Sequence, residues 1–414
     1  MNSKPKMSHA ARLDRLAEAT IRVGANIQPG QEIILTATVE AMPLVRRITE
    51  HAYKAGASLV TTLLSDDRST LARYRFAPDG AFERSTPWLF DGFARALENG
   101  AARIAVSGEN PNLLSNEDET RVGHANKSRT LAYKPVSNAI TQFKTNWTIS
   151  SYASRAWAQA VFPDLSAKEA QAKLFDAIFK ASRVDGEGPI ANWKAHNGEL
   201  AKRRAQLTAK NYAALRFVGP GTDLTVGLAD GHAWCGGAAT SQSGIVCNAN
   251  IPTEEVFTTP HAHRVNGYVS STKPLAYSGS VIDGIRVEFK DGAIVKASAT
   301  KSDHVLQKMI GIDEGSRRLG EVALVPHSSP ISASGILFYN TLYDENAACH
   351  IALGQSYRKP FVNWQSLADE DFITRGANQS NIHVDWMIGS GEVNVYGITQ
   401  SGDVEAVMLK GEWV

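Results

Sequence analysis

Gly30-Gln31-Glu32-Ile33-Ile34-Leu35, then Pro43-Leu44-Val45 with Ile48 and Ala52, then Gly56-Ala57-Ser58-Leu59-Val60-Thr61-Thr62-Leu63-Leu64 decide the fold class of the first third of this chain. A short apolar run behind a glycine turn reads as a buried strand. Pro43 in a first helical turn, followed by apolar residues at helical spacing, reads as a helix, and Gly56-Ala57 ends it. The β-branched run that follows is a second strand. Before this unit, Leu13, Leu16, Ala17, Thr20 and Ile21 recur at helical spacing. After it, a helix around residues 93–97 stops at Gly100 and Arg103-Ile104-Ala105-Val106-Ser107 is the next strand. Strand, helix, strand at this rhythm predicts a parallel α/β sheet. No GxGxxG or GxxxxGK[ST] follows its strands, so a scaffold reads better than a nucleotide site.

Residues 168–182 form an amphipathic pattern with Ala172, Leu174, Phe175, Ile178 and Phe179 on one face. The polar connector Asp185-Gly186-Glu187-Gly188-Pro189 leads into a charged linking helix with Trp193, His196, Leu200 and Arg203. A domain boundary is expected near residue 210, giving 1–210 as an N-terminal α/β domain and 211–414 as a C-terminal domain. Beyond it, runs such as Asp223-Leu224-Thr225-Val226-Gly227-Leu228 and Ile285-Arg286-Val287-Glu288-Phe289 are bounded by Ala229-Asp230-Gly231 and Asp291-Gly292. Asp-Gly between apolar runs is a hairpin signal. The second domain is therefore expected to be α+β with mostly antiparallel sheet.

The chain has 414 residues, long enough for two cores, with 43 basic and 42 acidic residues and a formal net charge of +1. That balance argues against nucleic acid or an anionic membrane as the partner. The N-terminal residues read as a polar tail without a signal peptide, and no run is long and apolar enough to span a bilayer. Three cysteines, Cys235, Cys247 and Cys349, fit neither a zinc motif nor a redox pair. A cytoplasmic protein is expected, with its three N-glycosylation sequons accidental.

Chemistry concentrates in the second half. In Ser380-Asn381-Ile382-His383-Val384-Asp385-Trp386-Met387-Ile388-Gly389, His383 and Asp385 project from one face of a strand while the apolar residues line the other. Glu254-Glu255 precede a strand-like run; their directions alternate, so at most one should face a buried site. Glu321 heads the strand Leu319-Gly320-Glu321-Val322-Ala323-Leu324-Val325. The segment from Tyr343 to Tyr357 reads as a loop entering a helix, with Asn346 as N-cap and His350 and Tyr357 on one helical face. His261 and His263 are also two apart but sit in a turn-like stretch and read as structural. Two glutamates, two histidines and an aspartate form a mixed O/N set that suits a pair of divalent ions better than one tetrahedral zinc.

With Asn250-Ile251-Pro252-Thr253-Glu254-Glu255, Leu319-Gly320-Glu321, Asp344-Glu345-Asn346-Ala347-Ala348-Cys349-His350 and His383-Val384-Asp385 in this order and spacing, the chain resembles the aminopeptidase T/aminopeptidase S family of metallo-aminopeptidases. The resemblance is specific through the C-terminal half and looser before it. It implies Glu255, Glu321, His350, His383 and Asp385 as ligands to two divalent ions (zinc, cobalt, manganese or magnesium). It also implies Tyr357 as an active-site tyrosine, and Glu345 as a further ligand or a base. The implied protein is a homodimer acting on peptides with a free N-terminus.

In that chemistry Glu321 or Glu345 accepts the proton of the attacking water, and Asp385 is a candidate bridge between the ions. Two other readings remain. His350, His383 and Asp385 alone make a 2-His-1-carboxylate set that suits a non-haem iron ring-cleaving dioxygenase. A peptide-binding protein with a vestigial metal site is the third. Glu255 and Glu321 discriminate against the oxygenase, which has little use for two more carboxylates.

Overall fold

The computed structural model describes residues 7–186, 188–277 and 280–414. The chain forms two compact units, Met1–His196 with Ala238–Pro252, and Asn197–Gly237 with Thr253–Val414. The first passage between them, from His196 to Asn197, falls inside the helix Pro189–Lys210.

The first unit is built on the expected parallel sheet. Strands Glu32–Thr38, Leu59–Ser65, Ala102–Ser107 and Trp147–Ser151 lie in the spatial order second, first, third, fourth, every pair parallel. Helix Met42–Lys54 carries Pro43 in its first turn and buries Leu44, Val45, Ile48 and Ala52, the stripe its spacing predicts. Helix Ala167–Ala181 starts at a capping box, Ser166 with Glu169, and buries Leu174, Phe175, Ile178 and Phe179. The fourth strand, Trp147–Ser151, was not legible in the sequence. Its Thr148, Ser150 and Ser151 are fully buried and look polar in a linear reading.

The second unit is antiparallel throughout its two large sheets, as expected. Eight strands run in one sheet and four in the other. Asp291-Gly292 joins Arg286–Lys290 to Ala293–Ser298 with φ of +50° and +82°, the left-handed pair a two-residue hairpin requires. At Asp230-Gly231 the hairpin expectation fails. The chain turns there, but Thr222–Leu228 pairs with Ala214–Gly219 before it and with the distant Pro260–Ser270. An Asp-Gly pair supplies the turn, and long-range pairing chooses the neighbour.

A second correction concerns the site. The segment after Asn346 is not a helix: His350–Gly354 is a strand, every residue buried, held between Leu319–Leu324 and His383–Met387. The short apolar run Ile351-Ala352-Leu353 reads equally well as either element, and pairing on both edges settled it. His350 and Tyr357 therefore share no helical face. Among the described residues no helix is long and apolar enough to cross a membrane.

Candidate metal centre

The four-stranded sheet lies in the order His383–Met387, His350–Gly354, Leu319–Leu324, Val256–Thr258. Opposed residues of an antiparallel pair share a face, and on one face the register alternates ligand and small residue. Asp385 opposes Ala352, which opposes Glu321; Gly354 opposes His383; His350 opposes Ala323. Gly354 adopts φ +108°, and a Cβ there would meet the Ile382 carbonyl oxygen at 2.1 Å. Glu321 shares this face with Ala323, two residues on, and a bulge lies just ahead of it. Leu319 pairs with Leu353, yet Glu321 pairs with Ala352, so Gly320 is the extra residue. A Cβ on Gly320 would lie 2.4 Å from the carbonyls of Gly354 and Gln355, which explains the glycine.

The functional atoms converge. His350 Nε2 is 3.2 Å from Glu255 Oε2, 3.7 Å from Glu321 Oε1 and 3.9 Å from Asp385 Oδ1. His383 Nε2 is 3.8 Å from Glu321 Oε2 and 3.5 Å from Asp385 Oδ1. Both rings are fixed from behind: Nδ1 of His350 donates to the Ala348 carbonyl at 3.1 Å and Nδ1 of His383 to that of Gln355 at 2.7 Å. A carbonyl only accepts, so Nδ1 carries a proton and Nε2 is the nitrogen each ring turns to the cluster, for a second proton or for a metal ion. Glu255 Oε2, His350 Nε2 and Asp385 Oδ1 are buried and lack any hydrogen-bond partner. Lone pairs facing one another in a dry site require a proton or a cation between them.

Electrostatics agree. Burial pushes Glu321 up to about 7. Burial also raises Glu345 well above the carboxylate range, helped by the charges of Glu255 and Asp385. At His383 burial opposes protonation, but Asp385 prevails and lifts it to about 9. At Asp385 burial is outweighed by the two histidines, which hold it below its ordinary value. In the absence of a cation these groups must share protons, and a divalent ion replaces them. The residues present thus fit a metal.

Glu345 lies in a short 3-10 turn, Glu345–Ala347, and lines the same cavity as Asp385 without joining either group of converging ligand atoms. Tyr357 is 39% exposed, its ring 4.5 Å from that of His383, and desolvation of its hydroxyl with the nearby carboxylates raises its pKa above the ordinary phenol value. Glu254 is buried alongside Glu255, because residues 251–255 are not extended strand and alternation does not govern them. Only Glu255 joins the cluster. His261 and His263 lie on strand Pro260–Ser270, their rings 6.0 Å apart, outside the candidate metal groups among the described residues.

Asn346 has a different task from the N-cap expected of it. Its Oδ1 accepts from the Glu254 N–H at 2.7 Å and its Nδ2 donates to the Leu342 carbonyl at 3.0 Å, tying the Glu255 segment to the Glu345 turn. No sequence signal separates such a clamp from a cap. Met387 was also overlooked, although its spacing from His383 and Asp385 places it on their face.

The thermophilic metalloprotease (M29) family matches residues 9–413. Aminopeptidase T of Thermus aquaticus is 49% identical over 402 residues, covering 97% of this chain and 98% of that protein. Aminopeptidase 2 of Geobacillus stearothermophilus is 46% identical over 401 residues, covering 97% of each. The solved structure of wild-type AmpT from Thermus thermophilus matches with a TM-score of 0.94 at 47% identity, over 98% of this chain and 100% of that one. A 2,5-dihydroxypyridine dioxygenase from Pseudomonas putida matches with a TM-score of 0.55 at 12% identity, over 99% of this chain and 98% of that one, and shares the fold alone. With a match running almost from end to end, the chain belongs to the thermophilic metalloprotease (M29) family.

Proposed function

We infer that this protein is a metal-dependent aminopeptidase that releases N-terminal residues from peptides, with Glu255, Glu321, His350, His383 and Asp385 holding two divalent cations in its C-terminal domain, residues 211–414. One observation carries the count of two. The candidate ligands fall into two overlapping groups, Glu255-Glu321-His350 and Glu321-His383-Asp385, that share Glu321. Glu321 turns one oxygen to each histidine and would serve as a ligand in both groups. Asp385 Oδ1 faces the same two nitrogens and is the second candidate bridge. Zinc, cobalt, manganese and magnesium all suit such a set, with supply deciding between them.

Cations bound there lower the pKa of water and polarise a peptide carbonyl. The chain's own groups do the rest. Glu345, raised by burial and free of the ligand groups, accepts a proton and returns one to the leaving amine. Glu321 is the other candidate base, less suited while both its oxygens serve as ligands. Tyr357, kept protonated, donates to the oxygen that gains charge. Tyr357→Phe is expected to lower kcat by roughly 10²-fold, the usual cost of one such donor, with metal content unchanged. Undiminished turnover at equal metal content removes Tyr357 from the mechanism.

Glu255 and Glu321 lie within 3.7 Å of His350, so the two histidines and Asp385 do not stand alone as an iron-oxygenase triad. Metal analysis with hydrolysis of aminoacyl p-nitroanilides tests the proposal. Two ions per chain and hydrolysis restored by adding metal back to chelated protein are expected; one iron with oxygen uptake, or bound metal without hydrolysis, overturns it. The homodimer and the cytoplasmic setting remain part of this proposal. Three buried cysteines suit a reducing compartment, and light scattering of the purified chain gives the oligomer mass.

A further inference from the structure

Strand His350–Gly354 runs into three residues without regular structure, Gln355, Ser356 and Tyr357. Two of them meet His383: the Gln355 carbonyl accepts from its Nδ1 at 2.7 Å, and the Tyr357 ring lies 4.5 Å from its own. Such a partner orients the ring of a metal-binding histidine. A main-chain carbonyl is common to every residue, so its place is set by whatever holds the chain around it.

Here that holder is Asn378. Its Nδ2 donates to the Gly354 carbonyl at 2.7 Å and to the Gly315 carbonyl at 2.8 Å. Its N–H donates to the Ser356 hydroxyl and its carbonyl accepts the Ser356 N–H, both at 3.0 Å. Gln355 is thereby fixed through both neighbours, and its own Oε1 accepts the Ser380 N–H at 3.0 Å. Farther along the run, the Asp313 carboxylate accepts the Ser380 hydroxyl and the Asn381 N–H, each at 2.7 Å. Asn378 is 5% exposed and Ser356 3%, so these bonds are made out of water, where an abandoned carbonyl is costly. Asn378 also opens one of the three sequons. Both of its side-chain hydrogens are engaged with buried carbonyls, so the fold gives this asparagine a task unrelated to a glycan.

We propose that Asn378 is a positioning residue for the reaction: it holds the Gln355 carbonyl against His383 and the Tyr357 side chain beside that ring, and acts on turnover through those two groups. The inference rests on the aminopeptidase reading above. The hydrogen bonds of Asn378 end on main chain or on the Ser356 hydroxyl, none on a candidate ligand. A misplacement of about 1 Å at a catalytic group costs about 10²-fold in rate, so slight slack in this segment is enough.

The test is Asn378→Ala, measured in the metal-loaded enzyme with leucyl p-nitroanilide. Both kcat and kcat/KM should fall by the same factor, roughly 10- to 100-fold, the pattern of an interaction used in the transition state. Made in Tyr357→Phe, the same substitution should cost markedly less, because the donor it places is already gone. The affinity for one of the two ions, read by competition with a chromogenic chelator, should fall roughly 10- to 100-fold through His383. Ser356→Ala, which removes only the hydroxyl facing the Asn378 N–H, should move the same quantities in the same direction by less. Unchanged kcat and metal affinity in a folded Asn378→Ala overturn the proposal, whatever happens to its thermal midpoint. So does a loss of kcat fully additive with that of Tyr357→Phe at unchanged metal affinity. If Asn378→Ala does not fold, Ser356→Ala decides by the same criteria. A metal-loaded wild type inactive on aminoacyl p-nitroanilides overturns the aminopeptidase reading and the part of Asn378 in turnover, while the metal affinity of Asn378→Ala still tests its hold on His383.

Discussion

Glu321→Gln is expected to lower kcat/KM by roughly 10³-fold or more and to release both ions rather than one. Glu321 is the side chain common to the two ligand groups, with a separate oxygen toward each histidine. A neutral amide would remove the charge that the proposed pair of cations shares, and losses of this order accompany removal of a catalytic base or a strongly stabilising group. The effect on stability should have opposite signs in the two states. In the chelated protein a buried carboxylate, pushed up to about 7 by burial, is replaced by a neutral group, so the variant should melt no lower than the wild type. In the loaded protein it should melt lower, because its ions have gone. Metal analysis and calorimetry read both. Retention of one ion by Glu321→Gln, with loss of both by Asp385→Asn, would transfer the bridging role to Asp385.

Chelation of the wild type should abolish hydrolysis and lower the thermal midpoint of the unit that carries the site by several degrees. An ion at one hundred times its dissociation constant contributes about 2.7 kcal/mol. For a unit of this size each kcal/mol moves the midpoint by roughly 2–4 °C. The loss is amplified by what remains: burial and neighbouring charge make Glu321 and Glu345 costly to ionise once no cation offsets them. Two-state analysis does not apply to a chain with two cores, so calorimetry should resolve the transitions separately. A chelated protein with unaltered midpoint and unaltered hydrolysis would end the metal assignment.

Much of this centre was legible in the chain. His383 and Asp385 announced a shared strand face through a period of two, and the strand bears them as read. Glu321 at the head of an apolar run and Glu255 before a short strand also lie where their context put them. The parallel sheet of the first unit followed from strand–helix–strand rhythm. The segment His350–Gly354 was misread because alanine favours helices and so short an apolar run, Ile351-Ala352-Leu353, carries no period long enough to contradict that preference. The fourth parallel strand escaped for the converse reason, since its buried serines and threonine resemble a loop. Asn346 showed its residue type but not its partners, which lie at Leu342 and, far along the chain, at Glu254.

The sequence by itself determined which donors exist, their order, and the family resemblance that made them a set. Period-two alternation is local physics and needs nothing beyond neighbouring residues. The tertiary structure alone decided that Glu321 faces the histidines. Its strand puts Glu321 and Ala323 on one face, but only the pairing with His350–Gly354 sets that face toward His350, and the extra residue at Gly320 ends that register just ahead of Glu321. A bulge is defined by a mismatch between two strands, so it belongs to the pair and not to either sequence. The same holds for the cavity beside Asp385, whose walls come from segments around residues 275, 339 and 387 that meet only when the sheet has formed.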